Sequence, residues 1–73
     1  ILSSVEDTDI CVIFVEQQDG MVKVSWRARP GFDVASVAQK FGGGGHKPAA
    51  GAMIKGSMER TKEDVIYETR KLL

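Results

Sequence analysis

Residues 41–51 read Phe41-Gly42-Gly43-Gly44-Gly45-His46-Lys47-Pro48-Ala49-Ala50-Gly51, and the organisation of the chain turns on that stretch. Four consecutive glycines ahead of the only histidine are costly in a small domain. Each ordered glycine loses about 0.5–1 kcal/mol more conformational free energy than alanine. Glycine runs permit positive φ, close approach of a ligand to the main chain, and a concave array of N–H donors that suits an anion. His46 and Lys47 add donors and positive charge at the same place. The stretch is therefore expected to bind an anion, phosphate first of all. A flexible linker is the plain alternative. Against it, the run lies in mid-chain between apolar Phe41 and compact Pro48-Ala49-Ala50-Gly51, where a cut leaves two pieces too small to hold a core.

On the N-terminal side, Pro30-Gly31 ends a strand and Asp33 is a good N-cap. Phe32 and Val37 fit a hydrophobic staple, and Val34, Val37, Ala38 and Phe41 repeat as the apolar stripe of a short helix. Gly42 is that helix's natural left-handed stop. One glycine suffices for this, and three remain to be explained. The loop follows a helix instead of preceding one, and Lys47 is followed by Pro48, so neither a Walker loop nor a dinucleotide fingerprint is present.

The rest of the chain is read from the same anchor. Ala49 to Lys55 is small and apolar and is expected to be a short strand packed closely on a helix. The last helix is expected to start near Thr61, with Thr61 and Asp64 as a capping box and Val65, Ile66, Thr69, Leu72 and Leu73 as its buried stripe. Upstream, Ile10 to Val15 is a continuous apolar run that predicts a strand buried on both faces. Asp19-Gly20 is a strong hairpin signal. From Met21 to about Arg29 the pattern alternates: Val22, Val24 and Trp26 on one face, Lys23, Ser25 and Arg27 on the other. That polar face is either solvated or lines a ligand cleft, with Arg27 offering a bidentate fork to phosphate and Ser25 beside it. Residues 1–9 show no period and read as a connector. The expected order is β-β-α-β-α, an α+β domain: a small sheet of three or more strands with helices on one face.

Seventy-three residues bound the chain to one domain, and 42% apolar with 27% charged residues is ordinary globular composition. No apolar run reaches the length of a membrane span. Cys11 has no second cysteine to pair with and reads as a small core residue of a cytoplasmic protein. The chain begins with Ile1 and reads as a fragment of a longer one. Its zero net charge hides an asymmetry. Residues 1–22 carry Glu6, Asp7, Asp9, Glu16 and Asp19 and no base. Residues 23–55 carry Lys23, Arg27, Arg29, Lys40, Lys47 and Lys55 against Asp33 alone. Positive charge gathers around the glycine run, as a short phosphorylated ligand requires, while the zero total argues against a broad grip on duplex DNA.

Gly42-Gly43-Gly44-Gly45-His46, the following Ala49-Ala50-Gly51 and the Val24-Ser25-Trp26-Arg27 strand together resemble the C-terminal DHH-associated domain (type 1) of DHH-family phosphoesterases. The resemblance spans roughly residues 10–73; the family's usual serine after the arginine is Ala28 here. That family includes nanoRNases that also dephosphorylate 3′-phosphoadenosine 5′-phosphate, cyclic-dinucleotide phosphodiesterases and RecJ-type exonucleases. The resemblance implies a division of labour. An N-terminal DHH domain holds two manganese ions and activates water, and the C-terminal domain holds a short single-stranded oligonucleotide or phosphonucleotide. By matching positions, Gly42 to Gly45 approach the ligand with backbone N–H groups, and His46, with Lys47 beside it, meets phosphate or ribose. Arg27 and Ser25 grip the terminal phosphate or base. The Lys47-Pro48-Ala49-Ala50-Gly51 continuation is similar to the nanoRNase branch. One histidine and no close Asp/His cluster cannot make a two-metal site, so this chain is expected to bind and not to catalyse. Two other classes stay open: a tRNA-binding appendage, as in alanyl-tRNA synthetases, and a purely structural or dimerisation domain.

Overall fold

A computed structural model describes residues 2–73. Among them the order is β1 (Leu2–Glu6), β2 (Ile10–Glu16), β3 (Met21–Ala28), α1 (Val34–Lys40), β4 (Gly44–His46), β5 (Ala49–Lys55) and α2 (Met58–Arg70). The strands form one antiparallel sheet in the order β1-β2-β3-β5-β4. The α+β class and the sheet with both helices on one face are as expected; the strand count is five.

The hairpin and the first helix form where local chemistry points. Gln17 N–H donates to the Met21 carbonyl at 2.8 Å across the Asp19-Gly20 turn. Asp33 accepts from Ser36 N–H at 3.2 Å and caps α1. At the other end of α1, Gly42 N–H donates to Gln39 O at 3.1 Å and Gly43 N–H to Ala38 O at 2.9 Å, with Gly42 at φ 81°. That pair of bonds is a Schellman motif, and the left-handed position favours glycine.

β3 lies at the centre of the sheet, and one of its faces builds the core. Val22, Val24 and Trp26 are fully buried, with Ile10, Val12 and Phe14 of β2 beside them and Val34, Val37 and Ala38 of α1 and Val65 of α2 above. Trp26 links the sheet to both helices. Its indole N–H donates to Thr69 Oγ1 of α2 at 3.0 Å, and its ring lies 6.3 Å from that of Phe41 at 24° between planes. Thr69 passes its own hydroxyl proton to Val65 O at 2.7 Å, so every buried polar atom of this joint is matched. At the surface Glu68 of α2 joins α1 through Lys40 at 2.9 Å.

The structure departs from the sequence reading at several places. Residues 1–9 are not uniformly connector-like, since Leu2–Glu6 forms an edge strand paired with Cys11–Val15; its short, polar run carries no strong period, and pairing with β2 decides its state. β2 is buried on one face only. Ile10, Val12 and Phe14 point into the core, whereas Cys11, Ile13 and Val15 stand half-buried on the face that no helix covers. Cys11 is thus not a core residue. α2 starts a turn earlier than expected, because Ser57 accepts from Arg60 N–H at 3.1 Å and acts as the cap. Thr61 is instead buried inside the helix, and Leu73 is 57% exposed.

Thr69→Val keeps the shape but strands the buried Trp26 indole N–H, a loss of about 1–3 kcal/mol. For a domain of this size that corresponds to a fall in Tm of roughly 4–8 °C per kcal/mol, measurable by thermal denaturation. Hydrogen bonds from Lys40 first and Lys71 second hold the Glu68 carboxyl below its ordinary value of 4.5. A carboxyl lowered in the folded state contributes stability above 4.5 that is lost as the pH falls below it. Glu68→Gln should therefore shallow the acid limb of the stability–pH curve and leave the neutral plateau flat.

Candidate functional site

The uncovered face of the sheet is organised in rows by strand register. Glu6, Cys11, Arg27, Ala49 and His46 make one row across β1, β2, β3, β5 and β4; Ser4, Ile13, Ser25, Gly51 and Gly44 make the next. The third row is Leu2, Val15, Lys23 and Met53. Arg27 and His46 therefore flank Ala49 on the same face, about 10 Å apart at Cα from two strand spacings. Between and beside them the floor is Ala49, Gly51 and Gly44, with the Ser25 hydroxyl on the wall. The result is a shallow open depression of about 300 Å³, lined by Ser25, Arg27, Gly44, Gly45, Ala49, Ala50 and Gly51.

The depression exists because β4 and β5 carry almost no side chains, and the glycines divide their work. A Cβ on Gly43 would stand 2.1 Å from the Gly51 carbonyl oxygen and 2.6 Å from Ala52 Cβ, and one on Gly45 would stand 2.6 Å from both Ala49 O and Ala50 Cα. Those two positions let the chain lie against β5. Gly44 differs: nothing is within 4 Å of where its Cβ would stand, and its φ is not positive. It sits in the open row beside Gly51 and Ser25. A side chain there obstructs nothing in the protein, only the depression.

The expected site residues accordingly separate into two groups. Ser25, Arg27, Gly44 and Gly45 line the depression, and His46 stands beside it at the end of β4, opposite Ala49. Gly42 and Gly43 belong to the helix stop; their N–H groups are already bonded to helical carbonyls and are not free donors for an anion. The glycine run as a whole is part turn and part strand, not a loop of converging amides. Lys47 is exposed at the following turn, and its carbonyl accepts from Val34 N–H at 2.8 Å, which ties that turn to the start of α1. Among the described residues, the side chains of Arg27, His46 and Lys47 make no hydrogen bond or ion pair, whereas neighbouring Arg29 is held by the Thr8 carbonyl at 3.0 Å.

The arrangement can offer a planar guanidinium, an imidazole and a hydroxyl to one anionic group, over a floor that brings ligand atoms close to main chain. Two participants of the face escaped the sequence reading. The strand character of Gly44–His46 has no propensity signal, and the small floor residues Ala49 and Gly51 are recognisable only once β5 is registered against β3. Among the described residues no three His, Cys, Asp or Glu side chains are grouped.

The family model of the DHHA1 domain matches residues 1–73. The bifunctional oligoribonuclease and PAP phosphatase NrnA of Thermus thermophilus is 39% identical over 74 aligned positions, covering 100% of this chain and 22% of that protein. The proteins of the same description from Mycoplasma genitalium and Mycoplasma pneumoniae are 39% and 38% identical, over 74% and 90% of this chain and 17% and 18% of theirs. The chain thus spans about a fifth of the length of these relatives. It belongs to the DHHA1 domain family.

The division among the glycines is directly testable. Gly43→Ala drives a methyl group into the β5 backbone and should cost about 2–3 kcal/mol or more in urea denaturation. Gly44→Ala should be neutral or stabilising by up to about 1 kcal/mol, because it restrains the unfolded chain at no cost in the folded one.

Proposed function

We propose that this DHHA1 domain holds the nucleotide end of the substrate for an NrnA-like DHH phosphoesterase. The substrate is a short oligoribonucleotide or 3′-phosphoadenosine 5′-phosphate. The observation that carries the reading is that Arg27 and Ser25 line one uncovered depression whose floor is glycine and alanine, with His46 in the same row as Arg27 on the far side of Ala49. In this reading Arg27 forks onto a phosphate, and Ser25 donates to the same phosphate or to a ribose oxygen. His46 closes the opposite side of the group, Lys47 adds positive charge at the turn behind it, and Gly44 allows the ligand to lie against the strand.

Hydrolysis falls to another domain. This chain's donor set does not fit a two-metal centre, and the proposed partner is an N-terminal DHH domain with two manganese ions, which supply the water-activating chemistry. This chain's part is to bind and orient. Its uncovered sheet face is the natural surface to present a ligand to such a partner, because the helices occupy the other face. The relatives, described as oligoribonucleases and PAP phosphatases, support nucleotides as the ligand class.

An amide NMR titration of the chain with a 5′-phosphorylated diadenosine dinucleotide tests the proposal. Shifts are expected at Ser25, Arg27 and Gly44 to His46. Arg27→Ala should weaken binding by about 10- to 100-fold, the loss of a charge-assisted bidentate contact of roughly 1.5–3 kcal/mol, with Tm unchanged. Gly44→Val should abolish the shifts by filling the depression. Absence of shifts for every ligand at millimolar concentration, or shifts indifferent to Arg27, would overturn the assignment. Tight tRNA binding instead would place the domain among RNA-holding appendages.

A further inference from the structure

The depression uses one end of the uncovered face. At the other end β3 continues as Lys23 and Met21, paired with Met53 and Lys55 of β5, and the parity of the strand puts all four on the same face as Arg27 and Ser25. Lys23 and Lys55 are exposed, and among the described residues neither makes a hydrogen bond or ion pair. Met53, between them, is 51% exposed. Most cations elsewhere are engaged: Lys40 and Lys71 with Glu68, Arg60 with Asp64, Lys62 with Ser3 and Arg29 with Asp9. The uncovered face instead keeps three strand cations free, and its acid in the paired register, Glu6, stands on the far edge strand two strands from Arg27.

The path between the two ends is open. Across β3, β5 and β4 the middle row is Ser25, Gly51 and Gly44, and β4 pairs with β5 no further than Gly51. Among the described residues no strand covers β5 past Gly44 on that side, and no side chain larger than a hydroxyl stands between Arg27 and Lys23 along the seam of β3 and β5. Residues i and i+4 of a strand lie about 13 Å apart at Cα. A ligand with one terminal phosphate meets one of these cations; a ligand with phosphates strung along a backbone meets both.

We infer that Lys23 and Lys55 form a second anion subsite, with Met53 as its apolar floor, which makes affinity rise with the number of phosphates along a single-stranded chain. The inference rests on the proposed nucleotide-holding role and extends it: Arg27 anchors one phosphate, and the distal lysines read ligand length. Met53 offers a polarisable surface to a base or sugar. The contact is electrostatic and carries no base preference, so the selection is for chain length and not for sequence.

The test compares 5′-phosphorylated adenylates of one, two and three nucleotides, with Kd measured calorimetrically between 50 and 200 mM salt. For the wild-type chain the slope of log K against log salt should steepen with length, by about 0.7 for each phosphate engaged. Lys23→Ala/Lys55→Ala should weaken the trinucleotide about tenfold and shallow its slope by about 0.7–1.4, while leaving the mononucleotide within twofold. Lys23→Arg/Lys55→Arg should keep the wild-type length dependence. Equal weakening of all three ligands by the alanine pair would overturn the subsite in favour of diffuse attraction. An unaffected trinucleotide that Arg27→Ala still abolishes would overturn it too, and leave the nucleotide-holding role standing. Failure of the wild-type chain to bind any adenylate, or indifference to Arg27→Ala, would remove both.

Discussion

The turn after α1 lies so close to β5 that residue 43 has no room for a Cβ, and much of the molecule follows from that contact. It seats the end of the helix on the sheet, so that Ala38 and Phe41 reach the core around Trp26. It also delivers the next three residues onto the edge of β5 as β4. Without that delivery His46 has no fixed place. With it, His46 stands opposite Ala49, two strands from Arg27, although nineteen positions separate the two in sequence. A requirement of packing thus assembles the row that holds both.

The same contact explains why the glycine run is uniform while its members are not equivalent. Gly42 turns the chain at a positive φ, Gly43 and Gly45 let backbone lie on backbone, and Gly44 leaves an opening. Three of the four have reasons internal to the fold. Only Gly44 has none, and it lines the depression. A position where alanine would cost the fold nothing, yet where glycine stands, is where a ligand's needs are separable from the protein's own.

What the sequence made legible were features decided within a few residues. The Asp19-Gly20 turn, the Asp33 cap, the Gly42 stop and the alternation of β3 each depend on neighbours in the chain, and the structure bears them out. The placing of Arg27 and Ser25 in the same rows as His46 and Gly44 needs β3, β5 and β4 paired in register. β1 and β4 were not legible, because Leu2–Glu6 and Gly44–His46 become strands only through partners supplied by β2 and β5. Ser57 and Thr61 are both reasonable caps by residue type. Burial of Thr61 against the core decides between them, and burial is not a local property. The apolar run Ile10–Val15 misled for a related reason, since its half-buried face belongs to the uncovered side of the sheet, where apolar residues are tolerated and can serve contact.

Charge neutrality in this chain is a matter of placement. Two acids of α2 are matched by bases of the helical layer, Glu68 by Lys40 and Lys71 and Asp64 by Arg60, while Asp7 and Asp9 lie in the turn between β1 and β2, where Arg29 pairs with Asp9. Setting these pairs aside leaves Lys47, Lys62 and Arg70 elsewhere, and Arg27, Lys23 and Lys55 in a strip along β3 and β5. Exposed cations on a rigid sheet lose little hydration until a ligand arrives, so such a strip gives modest affinity and strong salt dependence. In the proposed role, that behaviour suits a domain that presents a nucleotide chain and then releases it. A deep, desolvated phosphate pocket would hold its ligand more firmly, whereas an open face with Arg27 as its one proposed anchor would let it go.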